Sequence, residues 1–374
     1  MSGGQPGDSK ATPRIASIHA GLDRLRLRQQ SPCQGLFFRL NTACASDHLP
    51  WLISGELARI HHQSIGKCKG QNMRPSALLV LLAMVISVCT PVLAQSPSMT
   101  KYDAAEMRAE SGRLADLSFP FTALELGFFS KFNNVLFRPS GGVADQRFPA
   151  LVLLHTCGAM RERETRYWVK AGLDKGFVVL AVDSLRGNDT NCNFPLRVES
   201  GRRIKDAFDA LNHLAKLPFV DPGRIFVAGF SQGSFIASLL SSAEVAAAFA
   251  PPSNLRFAAA AGLYGHCQYP AGSLRGVSYQ IDIVRSDIDR PLLLLMAQLD
   301  NETPPESCEA VLPLLKSRGA PVESHIYPDT THCWDCVTLD GRVKTDSRGA
   351  QIVYRFDQAT TDNSRQRVFD FFMR

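Results

Sequence analysis

One stretch restricts the folds open to this chain more than any other. It runs from Arg224 to Ser234 and reads Arg-Ile-Phe-Val-Ala-Gly-Phe-Ser-Gln-Gly-Ser. Ile225, Phe226 and Val227 form a β-branched and aromatic run that predicts a strand. Gly229, Ser231 and Gly233 follow, and then apolar residues at helical spacing. The pattern predicts a strand, a sharp turn and a helix, with Ser231 at the apex. Backbone segments approach so closely in such a turn that glycine is required at 229 and 233. A serine held there projects its Oγ clear of the sheet with a helix N-terminus beneath it, the geometry of a nucleophile elbow. Gly-x-Ser-x-Gly alone is a weak signal, because both residue types are common. Its weight comes from the strand before it and the helix after it.

The remaining chain supplies a frame for that turn. Strands are expected at 133–139, 148–155, 177–183, 257–264, 291–298 and 322–327, and helices at 161–175, 199–217, 235–249, 304–318 and 361–372. The run Pro-Ala-Leu-Val-Leu-Leu after Phe148 is continuously apolar, as in a strand buried on both faces. Asp221-Pro222-Gly223 reads as a turn and 265–289 as a loop. Strands alternating with helices at this spacing imply an α/β fold: a mostly parallel central sheet with helices on both faces, in one domain.

That domain is expected to begin at residue 95. From Met73 the chain reads Met-Arg-Pro-Ser, then an apolar run from Ala77 to Val88, then Cys-Thr-Pro-Val-Leu-Ala-Gln. A short basic start, an apolar run of this length and small residues at Val92 and Ala94 predict a secretory signal peptide over 73–94, cleaved before Gln95. The run is short for a membrane span and Thr90 and Pro91 interrupt it, so no stable membrane insertion is expected after cleavage. Val88 is a poor residue before a lipidated Cys89. The mature protein is therefore expected to be exported, to the periplasm or the medium. Residues 1–72 show no sustained period and are expected to be a non-native or disordered upstream extension, with Met73 the true start.

Net charge is +6, which taken alone suggests an acidic partner. Its distribution removes the suggestion. Residues 1–94 hold ten Lys and Arg against four Asp and Glu, and beyond residue 94 the two signs cancel at 31 each. No nucleic-acid partner is expected. Six cysteines would remain after cleavage: Cys157, Cys192, Cys267, Cys308, Cys333 and Cys336. An even number in an exported chain permits disulfides, with the connectivity open. Cys333-x-x-Cys336 has no second such pair to complete a four-ligand zinc site, so no metal is expected.

A serine hydroxyl needs a base to take its proton, and the base needs an acid to orient it. Asp300 lies just past the expected strand 291–298, and His332 just past the strand 322–327. Ligands in open α/β sheets bind outside the carboxyl ends of strands, where Ser231, Asp300 and His332 all fall. Glu302 is the nearest substitute for Asp300. Of the other histidines, His213 and His325 sit inside a helix and a strand, and His155 and His266 precede Asp300. An oxyanion hole is also required. Gln232 N–H, directly after the serine, is one expected donor, and Cys157 N–H, in the loop His155-Thr156-Cys157-Gly158, is the other. No organic cofactor is needed for this chemistry.

From about residue 148 to the C-terminus the chain resembles the dienelactone hydrolase family of α/β-hydrolases. The resemblance is carried by Leu-Leu-His-Thr-Cys-Gly, Val-Asp-Ser-Leu-Arg-Gly (182–187), Asp-Pro-Gly-Arg-Ile-Phe-Val-Ala-Gly-Phe-Ser-Gln-Gly, Leu-Asp-Asn-Glu-Thr-Pro (299–304) and Tyr-Pro-Asp-Thr-Thr-His. It implies the α/β-hydrolase fold and hydrolysis of a small-molecule ester or lactone through an acyl-enzyme. Three departures stand out. Ser231 occupies a position where the family often has cysteine, and Thr156 replaces the glycine usual after the oxyanion-loop histidine. That loop also lacks the acidic residue of the lactone-cleaving members, so the dienelactone substrate itself is not expected. Two other readings remain: a peptide or amide hydrolase, for which no large selecting domain is visible, and a non-catalytic binding protein on a hydrolase scaffold. Pocket walls are expected from 185–197 and 265–289, with Arg186 either an anion contact or a structural ion pair.

Overall fold

A computed structural model describes residues 103–374, apart from 129–133, 142–144, 189, 193–195, 197, 250–253, 275–276 and 347–348. The upstream stretch 1–72 and the signal peptide expected at 73–94 lie outside the described residues. In chain order the elements are α1 (Ala104–Glu110), β1 (Val135–Phe137), β2 (Phe148–Leu154), α2 (Glu162–Asp174), β3 (Val178–Val182), α3 (Ser200–Leu214), β4 (Val220–Phe230) and α4 (Gln232–Leu240). They continue with α5 (Ala243–Phe249), β5 (Ala260–Leu263), β6 (Gln268–Leu274), β7 (Val277–Asp282), β8 (Leu292–Ala297), α6 (Glu306–Glu309), α7 (Leu312–Ser317), β9 (Val322–Tyr327), β10 (Val343–Thr345), β11 (Gln351–Val353) and α8 (Gln358–Phe372).

Seven strands form one sheet in the order β1-β3-β2-β4-β5-β8-β9. Only β1 runs antiparallel to its neighbour; the pairs from β3 to β9 are parallel. Parallel strands need crossover connections, and these lay helices on both faces. The two faces carry separate apolar cores. Ala150, Val152 and Leu154 of β2 pack with Ile204, Phe208 and Leu211 of α3 on one side. Leu151 and Leu153 pack with Trp168 of α2 and Phe369 of α8 on the other. This alternation explains why β2 reads as unbroken apolar sequence. Each of the buried Val, Leu, Ile and Phe side chains contributes about 1.5–3 kcal/mol of burial free energy.

Four expectations need correction. Residues 221–223 are not a turn between elements. Val220 pairs with Phe148 and Ile225 with Ala150, so the intervening residues bulge from within β4. The helix read at 235–249 is two helices: Ser242 interrupts it and caps α5, its Oγ accepting from Val245 N–H at 3.2 Å while donating to Asp287. The helix read at 304–318 is likewise two, because Pro313 opens a new helix and has no N–H to continue the previous one. Finally, 265–289 is not all loop: β6 and β7 form an antiparallel hairpin within it.

Candidate active site

The parallel register brings the carboxyl ends of β2, β4, β8 and β9 to one edge of the sheet. Ser231 follows β4 with φ 51° and ψ −114°, outside the helical and extended regions. Its backbone is fixed on both sides: Ser231 N–H donates to Leu263 C=O at 2.9 Å, and Ser231 C=O accepts from Ser234 N–H at 2.8 Å. The glycine requirement has a specific cause at each position. A Cβ on Gly229 would lie 2.0 Å from the Gly233 oxygen, and one on Gly233 would lie 2.1 Å from the Leu154 oxygen. The elbow therefore packs backbone to backbone against the end of β2.

His332 Nε2 lies 3.1 Å from Ser231 Oγ, and its Nδ1 lies 2.7 Å from Asp300 Oδ2. The three groups form one hydrogen-bonded chain although they are far apart in sequence. Asp300 is held in turn, its Oδ1 accepting from Thr303 N–H at 2.8 Å and Glu302 N–H at 2.9 Å. The Thr303 hydroxyl donates to Asp300 Oδ2 at 2.7 Å and lies 3.1 Å from His332 Nδ1. Burial pulls the His332 pKa down, but the carboxylates of Asp300 and Glu302 outweigh it and the net direction is up from 6.5. Glu302, the sequence's substitute for Asp300, is not an alternative partner for Nδ1. Its Oε2 stands 3.7 Å from Nε2, on the serine side of the ring.

The loop after β2 faces the elbow. Cys157 is bonded to Cys192, and its C=O accepts from Asn191 N–H at 2.6 Å, so two links tie this loop to the segment around 191. Thr156 keeps an ordinary negative φ, so glycine is not required there, and its Oγ1 accepts from Gly158 N–H at 3.1 Å. Among the described residues, neither Cys157 N–H nor Gln232 N–H has an acceptor. Both residues line the cavity that Ser231 opens into. Gln232 also begins α4, where the helix dipole favours negative charge.

Sequence reasoning missed the group that holds these two donors in place. Arg203 on α3 is buried, and its Nη2 donates to His155 C=O at 2.6 Å while its Nη1 donates to Gln232 Oε1 at 2.6 Å. A single guanidinium thus braces the loop after β2 against the residue after the serine. His155 itself is buried, and its pKa is pushed down to about 3, first by burial and then by the Arg203 charge, so it is neutral. Its Nδ1–H donates to Thr156 C=O at 2.6 Å.

Other singled-out residues have structural partners. Arg186 donates to both oxygens of Asp206, at 3.0 and 3.2 Å, and makes the structural ion pair rather than an anion contact in the cavity. The remaining cysteines pair as Cys267–Cys308 and Cys333–Cys336. Asp335 lies between the latter two and accepts from Trp168 Nε1–H and the Tyr264 hydroxyl, each at 2.7 Å. Tyr264 in turn sets its ring edge-on to His332, with centroids 5.0 Å apart.

The cavity has a volume of about 280 Å³. Leu196, Phe235, Leu239, Ile281 and Ile283 supply its apolar wall. The β7 end of the hairpin therefore closes a pocket that the sequence placed only broadly at 265–289. The arrangement presents a serine hydroxyl, an imidazole that can take its proton, and two backbone donors without acceptors among the described residues to one partly open, largely apolar space.

Three solved structures are similar to this chain at low identity. An esterase from the planctomycete Thermogutta terrifontis is similar at 14% identity and a TM-score of 0.49, over 64% of this chain and 88% of that one. A Klebsiella pneumoniae protein assigned as a dienelactone hydrolase is similar at 18% identity and a TM-score of 0.47, over 63% and 90%. An α/β-hydrolase enzyme from a Medee basin deep-sea metagenome library is similar at 19% identity and a TM-score of 0.42, over 61% and 86%. No curated protein matches the sequence. The dienelactone hydrolase family model matches residues 132–374. That match starts just before β1, takes in every strand of the sheet and runs to the C-terminus, and the chain belongs to the dienelactone hydrolase family of hydrolases.

Proposed function

We propose that the protein is an exported serine hydrolase that cleaves a carboxylic ester or lactone through an acyl-enzyme. The observation that carries this reading is the continuous chain from Ser231 Oγ through His332 to Asp300, at 3.1 and 2.7 Å, opening on a cavity with two unpaired backbone donors. Ser231 Oγ attacks the carbonyl carbon while its proton passes to His332 Nε2. The carbonyl oxygen takes up the electron pair as an oxyanion, and the N–H groups of Cys157 and Gln232 receive it. The intermediate then collapses, the ester C–O bond breaks, and Nε2–H returns its proton to the leaving alkoxide. Water attacks the acyl-serine by the same route, with its proton going to Nε2 and then to Ser231 as the acid leaves. Asp300 holds the imidazole with Nδ1–H outward from the serine and stabilises the imidazolium.

Only a neutral imidazole can accept the serine proton, which fixes the sign of the pH dependence. Because the His332 pKa is raised from 6.5, kcat/KM for p-nitrophenyl butyrate should fall as pH drops through a single ionisation above 6.5. A profile flat across pH 5–8 would contradict His332 as the base.

Export is supported by the signal-peptide pattern at 73–94 and by the pairing of Cys157, Cys192, Cys267, Cys308, Cys333 and Cys336 in three disulfides, bonds that persist in oxidising compartments. No helix among the described residues is long and apolar enough to cross a membrane. N-terminal sequencing of protein from the native host should read Gln95 first, and a start before residue 73 would defeat this reading.

A further inference from the structure

Glu302 is a charged group in the reaction cavity that the proton relay does not use. Its Oε2 lies 3.7 Å from His332 Nε2, the nitrogen that faces Ser231. Two residues of the C-terminal hairpin region fix it there. Lys344 Nζ donates to Oε1 at 2.6 Å, and the Tyr354 hydroxyl donates to Oε2 at 2.6 Å. Burial raises the Glu302 pKa, but His332, Lys344 and Tyr354 together outweigh it and the net direction is down from 4.5. The group is therefore a carboxylate throughout the range in which His332 can act as a base.

Its setting makes that charge matter. Glu302 and Thr303 line the same cavity as Ser231, and no Lys or Arg is among the described residues lining it. The other charges around Glu302 belong to residues that are not among those lining the cavity. Lys344 stands on β10, the Asp300 carboxylate on the Nδ1 side of His332, and Arg342 acts on the Tyr354 hydroxyl. The remaining wall combines the apolar set from Leu196 to Ile283 already described with Asn191, Ser200, His266 and Tyr269. Among the described lining residues, a substrate carrying a negative charge would meet the Glu302 carboxylate and no Lys or Arg.

Resting on the reading of this site as a serine esterase, we propose that Glu302 is a specificity-determining residue that restricts the enzyme to uncharged esters with an apolar group and rejects anionic ones. The fixed carboxylate also stabilises the His332 imidazolium directly, from the side opposite Asp300. Two carboxylates then act on one ring: Asp300 orients it, and Glu302 sets how readily the cavity admits charge. At roughly 6 Å and an effective dielectric near 20, Coulomb repulsion of a substrate carboxylate amounts to about tenfold or more after solvent screening.

The test compares p-nitrophenyl hexanoate with the p-nitrophenyl half-ester of glutaric acid, which carries a carboxylate on a chain of similar length. Wild-type enzyme should favour the neutral ester in kcat/KM. Glu302→Gln should raise the anionic-to-neutral ratio about tenfold and move the acid limb of the pH profile downward. Lys344→Gln, which strips the counter-charge from Glu302, should do the opposite on both readouts. A merely structural role would move both variants the same way, and if Glu302→Gln does not fold, Lys344→Gln alone decides the sign. An unchanged ratio and an unshifted acid limb in the folded variants would overturn the proposal, as would equal wild-type rates on the two esters. Failure of the wild-type enzyme to hydrolyse any ester would instead overturn the esterase reading itself.

Discussion

Replacing Ser231 with alanine is expected to lower kcat for p-nitrophenyl butyrate by about 10⁴- to 10⁶-fold. The side chain's role in the fold is small by comparison. Ser231 Oγ makes its hydrogen bond to His332, while the elbow is held by backbone groups: Ser231 N–H to Leu263 C=O and Ser234 N–H to Ser231 C=O. Alanine has no greater difficulty than serine with a φ of 51°, so the elbow keeps its shape. The variant should unfold within a few degrees of the parent, and the lost rate should fall on kcat rather than KM. A residual rate above water would reflect the donors of the cavity and binding alone. Retention of more than a few per cent of wild-type kcat would remove Ser231 from the mechanism.

The second large effect is expected at Arg203. Its guanidinium joins His155 C=O, in the loop that carries Cys157, to Gln232 Oε1, on the residue after the serine. Burial lowers its pKa to about 10, with Asp206 and Asp183 opposing that shift, so it remains charged near neutral pH. Methionine matches much of its length but donates nothing. The buried His155 carbonyl would then be left without its charged donor, at about 1–3 kcal/mol, whereas Gln232 Oε1 keeps Asn191 Nδ2–H at 3.2 Å; the loss is partly offset because a buried charge also disappears. The donors they position would lose their fixed spacing. Loss of one oxyanion donor costs about 10²- to 10³-fold in kcat, and Arg203→Met should approach the lower of these with KM changed much less. Arg203→Lys keeps the charge but cannot reach both acceptors in a fork, so partial recovery is expected. Its pH profile should keep the wild-type acid limb, because Arg203 does not contact His332. An Arg203→Met enzyme with full kcat would show that the loop and the elbow need no brace.

How much of this was legible beforehand depended on where each residue's role was written. Ser231, Asp300 and His332 stand at strand ends, and an apolar run followed by a polar residue is visible in one sequence. The structure brings these three together, with Cys157 and Gln232 lining the same cavity. Arg203 was not legible, because nothing on an amphipathic helix marks which of Arg202 and Arg203 turns toward the sheet edge. Arg202 forms the ion pair with Asp206, whereas Arg203 reaches the loop after β2. Glu302 was visible but its side of the ring was not, since two residues of separation from Asp300 do not say which imidazole nitrogen each carboxylate meets. The break at Ser242 was missed because alanines on both sides favour helix, and the capping hydroxyl is held by Asp287 from a distant segment. In the β6–β7 hairpin, Val277, Tyr279 and Ile281 do alternate with polar residues and were legible as a strand, but its partner β6 carries Pro270 and Gly272, which read as loop.

The central claim is that Ser231 becomes the acyl carrier, and a fluorophosphonate probe tests it in one step. Incubated with purified enzyme and digested, the protein should carry one phosphonyl group on the peptide that contains Ser231, and Ser231→Ala should carry none. Labelling at a different residue, or none in enzyme that hydrolyses p-nitrophenyl butyrate, would contradict the assignment.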